Sequence, residues 1–244
     1  MTFADRRILI TGAGSGIGLA TARLLGKQGA RLVLIDQDGD KLEQVKAGEV
    51  IERLIGDVAD PDFWAGLNLA TIDHAVVNAG VPGVASITNS SFEEWRRVLA
   101  VNLDGAFLTL QAALRAMSGA GSIVCVSSAA ALKAEKGIAA YAASKAGLIQ
   151  LARVAAKESA SRGIRVNVIA PGGVETPIWE STEFKARIEE IGREAAFAEI
   201  AEHGTPLKRF AKPEEIAGQI AFLLSDAAAT MTGSVLVSDG GYLL

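Results

Sequence analysis

A single cysteine, Cys125, stands in a chain of 244 residues, so no internal disulfide can brace the fold. It sits in the apolar run Ile123-Val124-Cys125-Val126, where a free thiol is expected as core and not as a nucleophile. Excess charge is also lacking. Twenty-four basic and 28 acidic residues leave a net charge of −4, which gives no electrostatic footprint for nucleic acid or an anionic membrane. Long apolar runs are missing too: the N-terminal residues lead into Ile8-Leu9-Ile10, which glycines interrupt at once, too short for a signal core or a membrane span. No Pro/Gly/Ser-rich linker, composition break or internal repeat divides the chain. The expectation is one domain over residues 1–244, cytoplasmic, with a small-molecule partner and with no nucleic acid, membrane or metal.

Half of the residues are hydrophobic, and they fall in short runs. Ile8–Ile10, Leu32–Ile35, Val50–Ile55, Ile72–Val77, Ile123–Val126, Ile164–Ile169 and Val235–Val237 read as strands. Helical patterns occupy about 16–28, 39–47, 61–68, 91–117, 141–161 and 213–225. Continuous apolar strands separated by helices predict a parallel sheet covered on both faces, a doubly wound α/β fold. Residues 172–212 are irregular, with a charged, weakly periodic stretch from Glu180 to Glu202. An insert of this length is expected to cover a site as a lid.

Thr11-Gly12-Ala13-Gly14-Ser15-Gly16-Ile17-Gly18 follows the first strand and opens a helix. Glycines there let the backbone turn tightly and approach a pyrophosphate, whose charge is met by N–H groups at the helix N-terminus. The second strand ends in Asp36, where a carboxylate can accept from both hydroxyls of an adenosine ribose and would repel a 2′-phosphate. Gln37, Asp38 and Ser15 supply no compensating cation, so NAD is expected over NADP.

Only two tyrosines are present, and one is followed four residues later by a lysine, in Tyr141-Ala142-Ala143-Ser144-Lys145. Residues four apart share a helix face about 5–6 Å apart. A cation held close favours the phenolate and brings a phenol that titrates near ~10 toward the working range, so Tyr141 could act as acid and base. Ser128, thirteen residues earlier at the end of an apolar run, is a companion donor.

With Asp57-Val58, Asn78-Ala79-Gly80, Asn102, Pro171-Gly172, Thr176 and Ser238-Asp239-Gly240-Gly241 at ordered intervals, the whole chain resembles the compact branch of the short-chain dehydrogenase/reductase family. The resemblance implies a Rossmann-like seven-stranded sheet in the order 3-2-1-4-5-6-7. It also implies a tetrad in which Tyr141 exchanges the substrate proton and Ser128 hydrogen-bonds the reacting oxygen. Lys145 would lower the Tyr141 pKa and hold the nicotinamide ribose, and Asn102 would bind a water through a local break in its helix. On the cofactor side it implies Gly12, Ser15, Gly16, Ile17 and Gly18 in the turn, Asp36 at the ribose and Asp57 and Val58 at the adenine. Asn78, Ala79 and Gly80 would lie along the adenosine half, with Pro171 and Gly172 under the nicotinamide and Val174 and Thr176 beside it. A homotetramer is implied, with the terminus Tyr242-Leu243-Leu244 tied down at an interface. Val77 stands where the family more often has Asn, and the helices near 39–47 and 61–68 are short for it.

The activity implied is NAD-dependent interconversion of a secondary alcohol and a ketone, with a small polar substrate expected: a sugar, polyol or hydroxy acid. Lys133, Glu135, Lys136, Arg187 and Arg193 could hold such a substrate, or form a solvated face. The alternatives are an NADPH-dependent ketoreductase, such as a 3-oxoacyl thioester reductase, and an NAD-binding regulator without turnover.

Overall fold

A computed structural model of the protein describes residues 2–179 and 182–244. Its elements run β1 (Arg7–Thr11), α1 (Gly16–Lys27), β2 (Arg31–Asp36), α2 (Gly39–Glu43), β3 (Glu49–Ile55), α3 (Pro61–Gly66), β4 (His74–Val77), α4 (Phe92–Leu99), α5 (Gly105–Ala116), β5 (Gly121–Val126), α6 (Ala139–Ser159), β6 (Ile164–Pro171), α7 (Thr182–Ile191), α8 (Arg193–Gly204), α9 (Pro213–Leu224) and β7 (Val235–Ser238). The strands form one sheet in the order β3-β2-β1-β4-β5-β6-β7. Every pairing in it is parallel.

Period-two alternation along buried strands sorts the core into two layers. Ile8, Ile10, Leu32, Leu34, Val124 and Val126 pack on one face with Ala22 and Leu25 of α1 and Ile216, Ile220 and Leu224 of α9. Leu9, Val33, Ile35, Ile123, Cys125, Val166 and Val168 pack on the other with Leu110 and Ala113 of α5 and Leu148, Ile149 and Ala152 of α6. Cys125 is fully buried there, and burial pushes its thiol up to about 12, so it is a core residue and not a nucleophile. This two-faced cover is the doubly wound arrangement, and it places the C-terminal ends of the strands along one edge where a crevice opens.

Several boundaries differ from expectation, each for a local reason. The helix expected over 39–47 stops at Glu43, where the Arg53 guanidinium crosses from β3 and donates to the carbonyls of Leu42 and Val45 (3.1 and 2.9 Å). The helix expected over 91–117 is two α-helices joined by a π-turn, Ala100–Asp104, in which the Gly105 N–H reaches the Ala100 carbonyl. Within the 172–212 region, α7 and α8 are separated by Gly192 at φ +86°; Glu180, where the expected lid stretch begins, lies outside the described residues. The C-terminal segment makes hydrogen bonds within its own chain: Asp239 accepts from the N–H groups of Gly241 and Leu243, both at 2.9 Å, and Lys133 Nζ donates to the Tyr242 carbonyl at 2.7 Å. Among the described residues no helix is long and apolar enough to cross a membrane.

Candidate active site

The crevice is a cavity of about 690 Å³, lined by residues at the C-terminal ends of β1 to β6 and by the 172–212 region. Its first wall is the turn after β1. Asn78, at the end of β4, donates through Nδ2 to the carbonyls of Thr11 (2.9 Å) and Gly12 (3.2 Å), while Thr11 Oγ1 accepts from the N–H groups of Asn78 and Ala79. The Asn78 Nδ2 group thus fixes the turn, while the residue also lines the cavity. A Cβ on Gly18 would lie 2.1 Å from the Gly12 carbonyl oxygen. Gly18 does not line the cavity; it lets α1 start against the turn. Gly12, Ser15, Gly16 and Ile17 do line it. Ser15 makes no side-chain capping bond and the first turn of α1 carries no acidic residue, so its N–H groups are available to an anion.

Asp36 lies at the far end of this wall. Its Oδ2 accepts from Gly14 N at 2.8 Å and its Oδ1 from Asp38 N at 3.0 Å, so the carboxylate is oriented by the backbone on both sides. Lys41, which the sequence reading passed over, lines the cavity here and is tied to Asp38 Oδ2 at 2.6 Å. Asp57 and Val58 complete this end. Asp57 also accepts from Ala59 N at 2.9 Å, the turn role its residue type suggests.

At the other end Tyr141 opens α6 and Lys145 stands one turn on, both facing the cavity. Lys145 is 4 % exposed, its Nζ donates to the Val126 carbonyl at 3.0 Å, and it lies 5.9 Å from the Tyr141 ring centroid. Burial lowers its pKa to about 8. Burial also raises the Tyr141 phenol, with a hydrogen bond from Ser128 acting in the opposite sense. The expected lowering of Tyr141 by Lys145 is therefore not a property of the protein by itself: desolvation outweighs what its neighbours contribute. Ser127 is buried and donates to the Lys145 carbonyl at 2.8 Å, pinning α6 to the end of β5.

Asn102 sits in the π-turn, fully buried and outside the cavity lining. Its Oδ1 accepts from Val81 N (2.8 Å), and its Nδ2 donates to Val81 O (3.0 Å) and to Ser144 Oγ (3.1 Å). Gly80 is the meeting point, since a Cβ there would be 3.1 Å from Lys145 Nζ and 3.2 Å from Asn102 Oδ1. Pro171, Gly172, Val174 and Thr176 line the floor. Ile178, Trp179, Ile200 and Phe210 also line the cavity, as expected of a 172–212 segment that covers it, and Tyr242 joins them from the C-terminal segment. Of the five charged residues considered for substrate, only Glu135 lines the cavity. Arg187 is paired with Glu190 (2.6 Å) and Glu199 (2.9 Å), and Arg193 stacks on the Phe197 ring. No group of three or more His, Cys, Asp or Glu that could hold a metal ion occurs among the described residues.

Comparison with known proteins agrees with this architecture. Residues 12–243 match the family model described as Enoyl-(Acyl carrier protein) reductase. The cis-4-hydroxycyclohexanecarboxylate dehydrogenase of Sinomonas cyclohexanicum is 39% identical over 98% of this chain and 97% of its own. The 3-oxoacyl-[acyl-carrier-protein] reductase of Thermotoga maritima is 39% identical over the full length of both. Among solved structures, the L-sorbose reductase of Gluconobacter frateurii complexed with NADPH and L-sorbose superposes with a TM-score of 0.91 at 29% identity, covering 99% of this chain and 98% of that one. The fold and site define a nicotinamide-dependent oxidoreductase. The chain belongs to the short-chain dehydrogenase/reductase family.

Proposed function

We propose that the protein interconverts a secondary alcohol and a ketone with NAD, using Tyr141 as general acid and base. The observation that carries this reading is one cavity with Tyr141, Ser128 and Lys145 at one end and the backbone-oriented Asp36 carboxylate at the other. The residues fit the cofactor: the uncapped start of α1 offers N–H groups to a pyrophosphate, and Asp36 offers acceptors to a ribose diol. A bound nicotinamide accepts or supplies the hydride.

The chain's own part is proton handling and positioning. Ser128 donates to the substrate oxygen and, by bonding the phenol, holds Tyr141 toward the same atom. In oxidation Tyr141 takes the hydroxyl proton as the carbinol C–H bond breaks; in reduction it returns one to the carbonyl oxygen. Lys145 stabilises the phenolate and holds the ribose beside it. Its lowered pKa of about 8 suits a group that passes protons on near neutral pH. Asn102 fixes the Val81 loop against Ser144 and, through the π-turn, would anchor a water linking Lys145 to solvent.

Lys41 favours one second reading, an NADP-dependent ketoreductase, because its ammonium reaches the ribose end. Against that, it is ion-paired with Asp38, and Asp36 stands beside it. Absorbance at 340 nm with NAD and NADP over a panel of secondary alcohols and ketones separates the readings. Turnover with NAD supports the proposal, turnover confined to NADP sinks the Asp36 argument, and binding without turnover indicates a regulator.

A further inference from the structure

Beyond Ser128 and Tyr141 the cavity wall is mostly apolar, made by Val84, Ala130, Ile138, Ile178, Trp179 and Phe210. Polar side chains that interrupt it include Glu135 from the segment after β5 and Tyr242 from the segment after β7. They are neighbours: burial, together with the Glu135 carboxylate beside it, pushes the Tyr242 phenol up to about 12. Tyr242 is held in place from behind. Lys133 Nζ donates to its carbonyl at 2.7 Å and lies 4.3 Å from its ring centroid without lining the cavity, while Asp239 fixes the backbone on either side.

Glu135 is a carboxylate on the cavity wall, so it offers the cavity acceptors and a negative charge and has no proton to give. Cations that could answer a substrate anion are committed elsewhere. Lys41 and Lys145 are the only ones among the described lining residues; the first is paired with Asp38 at the ribose end, and the second donates to Val126 O beside Tyr141.

Resting on the oxidoreductase reading, we propose that Glu135 and Tyr242 form a distal recognition station for the substrate. It takes an uncharged alcohol that carries a second hydroxyl on an apolar frame, and it rejects the matching carboxylate. The second hydroxyl donates to Glu135 in a charge-assisted bond, whereas a carboxylate in its place brings two anions together. This narrows the sequence expectation of sugars, polyols and hydroxy acids to neutral diols and excludes the acids.

The test is calorimetric titration of the NAD-loaded Tyr141→Phe variant, in which ligands are not consumed, with a cyclohexanediol and the matching hydroxycyclohexanecarboxylate. The diol is expected to bind roughly tenfold more tightly than the acid. Adding Glu135→Gln, a change at an exposed position, should bring the two within about twofold of each other, and adding Tyr242→Phe should weaken the diol. The proposal is overturned if the acid binds as well as the diol, if Glu135→Gln leaves the ratio unchanged, or if neither ligand binds. Failure of the oxidoreductase reading shows separately, as no 340 nm turnover by the native enzyme on any secondary alcohol, whatever the binding ratio.

Discussion

Lys145 is a cation the fold has taken out of water, and replacing it should make the protein more stable while destroying its activity. Its pKa falls from 10.5 to about 8, with burial as the first cause. Each tenfold change in proton affinity corresponds to about 1.4 kcal/mol, so keeping the charged form folded costs about 2–4 kcal/mol. Below pH 8 both the folded and the unfolded chain hold the proton, and the whole cost is present. Between about 8 and 10.5 the unfolded chain binds more protons than the folded one, so stability rises with pH, and above that window the cost is gone. Lys145→Met keeps the length of the side chain, removes the charge, and gives up only the bond to Val126 O, worth about 1–3 kcal/mol gross. The net expected at pH 7 is a gain of about 1–2 kcal/mol. For a chain of this size that is a rise in Tm of roughly 2–8 °C, read by thermal melting. The gain should shrink between pH 8 and 10.5, and turnover should be lost at every pH. A variant less stable than the parent at pH 7, or a difference that does not change with pH, would refute the view of Lys145 as an expensively buried cation.

Tyr141→Phe should retain NAD binding by calorimetry and lose kcat by roughly a hundredfold to ten-thousandfold, the range of general acid–base catalysis; comparable turnover removes Tyr141 from the mechanism. Asp36→Asn keeps an acceptor for Gly14 N and removes the charge, so the ratio of kcat/KM for NAD over NADP should fall about tenfold; an unchanged ratio makes Asp36 a turn residue only. Gly18→Ala drives a methyl into the Gly12 carbonyl and should cost about 1–3 kcal/mol in denaturant melts, with weaker NAD binding because the whole turn must move. Parent-like stability and affinity in that variant would mean that α1 can slide away from the turn freely.

Apolar runs and their punctuation made the strands and their parallel pairing legible, because a strand buried on both faces can be little else. Ile8, Leu9 and Ile10 already contain the split into two packing layers. Tyr141 and Lys145 were legible for a similar reason, since four-residue spacing on a helix is local geometry. What stayed hidden depends on chain segments that meet only after folding. Ser127 reads as a strand end until α6 lies across it and supplies the Lys145 carbonyl. Lys41 reads as a surface lysine until β1 and β2 bring its helix to the ribose end. Tyr242 reads as an apolar terminus until Lys133 and Glu135 arrive from the segment after β5. The direction of the Tyr141 shift was missed because sequence shows the neighbouring charge and conceals the burial.

The π-turn at Ala100–Asp104 has a consequence for how the helices around it can change. An i→i+5 turn holds one residue more than an α-turn, so it acts as a single-residue insertion in an otherwise continuous helical stretch from Phe92 to Ala116. Removing that residue would restore regular helix and satisfy the local backbone. It would also rotate everything beyond it by about 100° relative to Phe92–Leu99, taking Ala106, Leu110 and Ala113 off the sheet or Val98 off its packing partners. The irregularity is thus phase-locked by the core on either side: the helix cannot be repaired one residue at a time without moving the helices off their packing, or Asn102 off Val81 and Ser144.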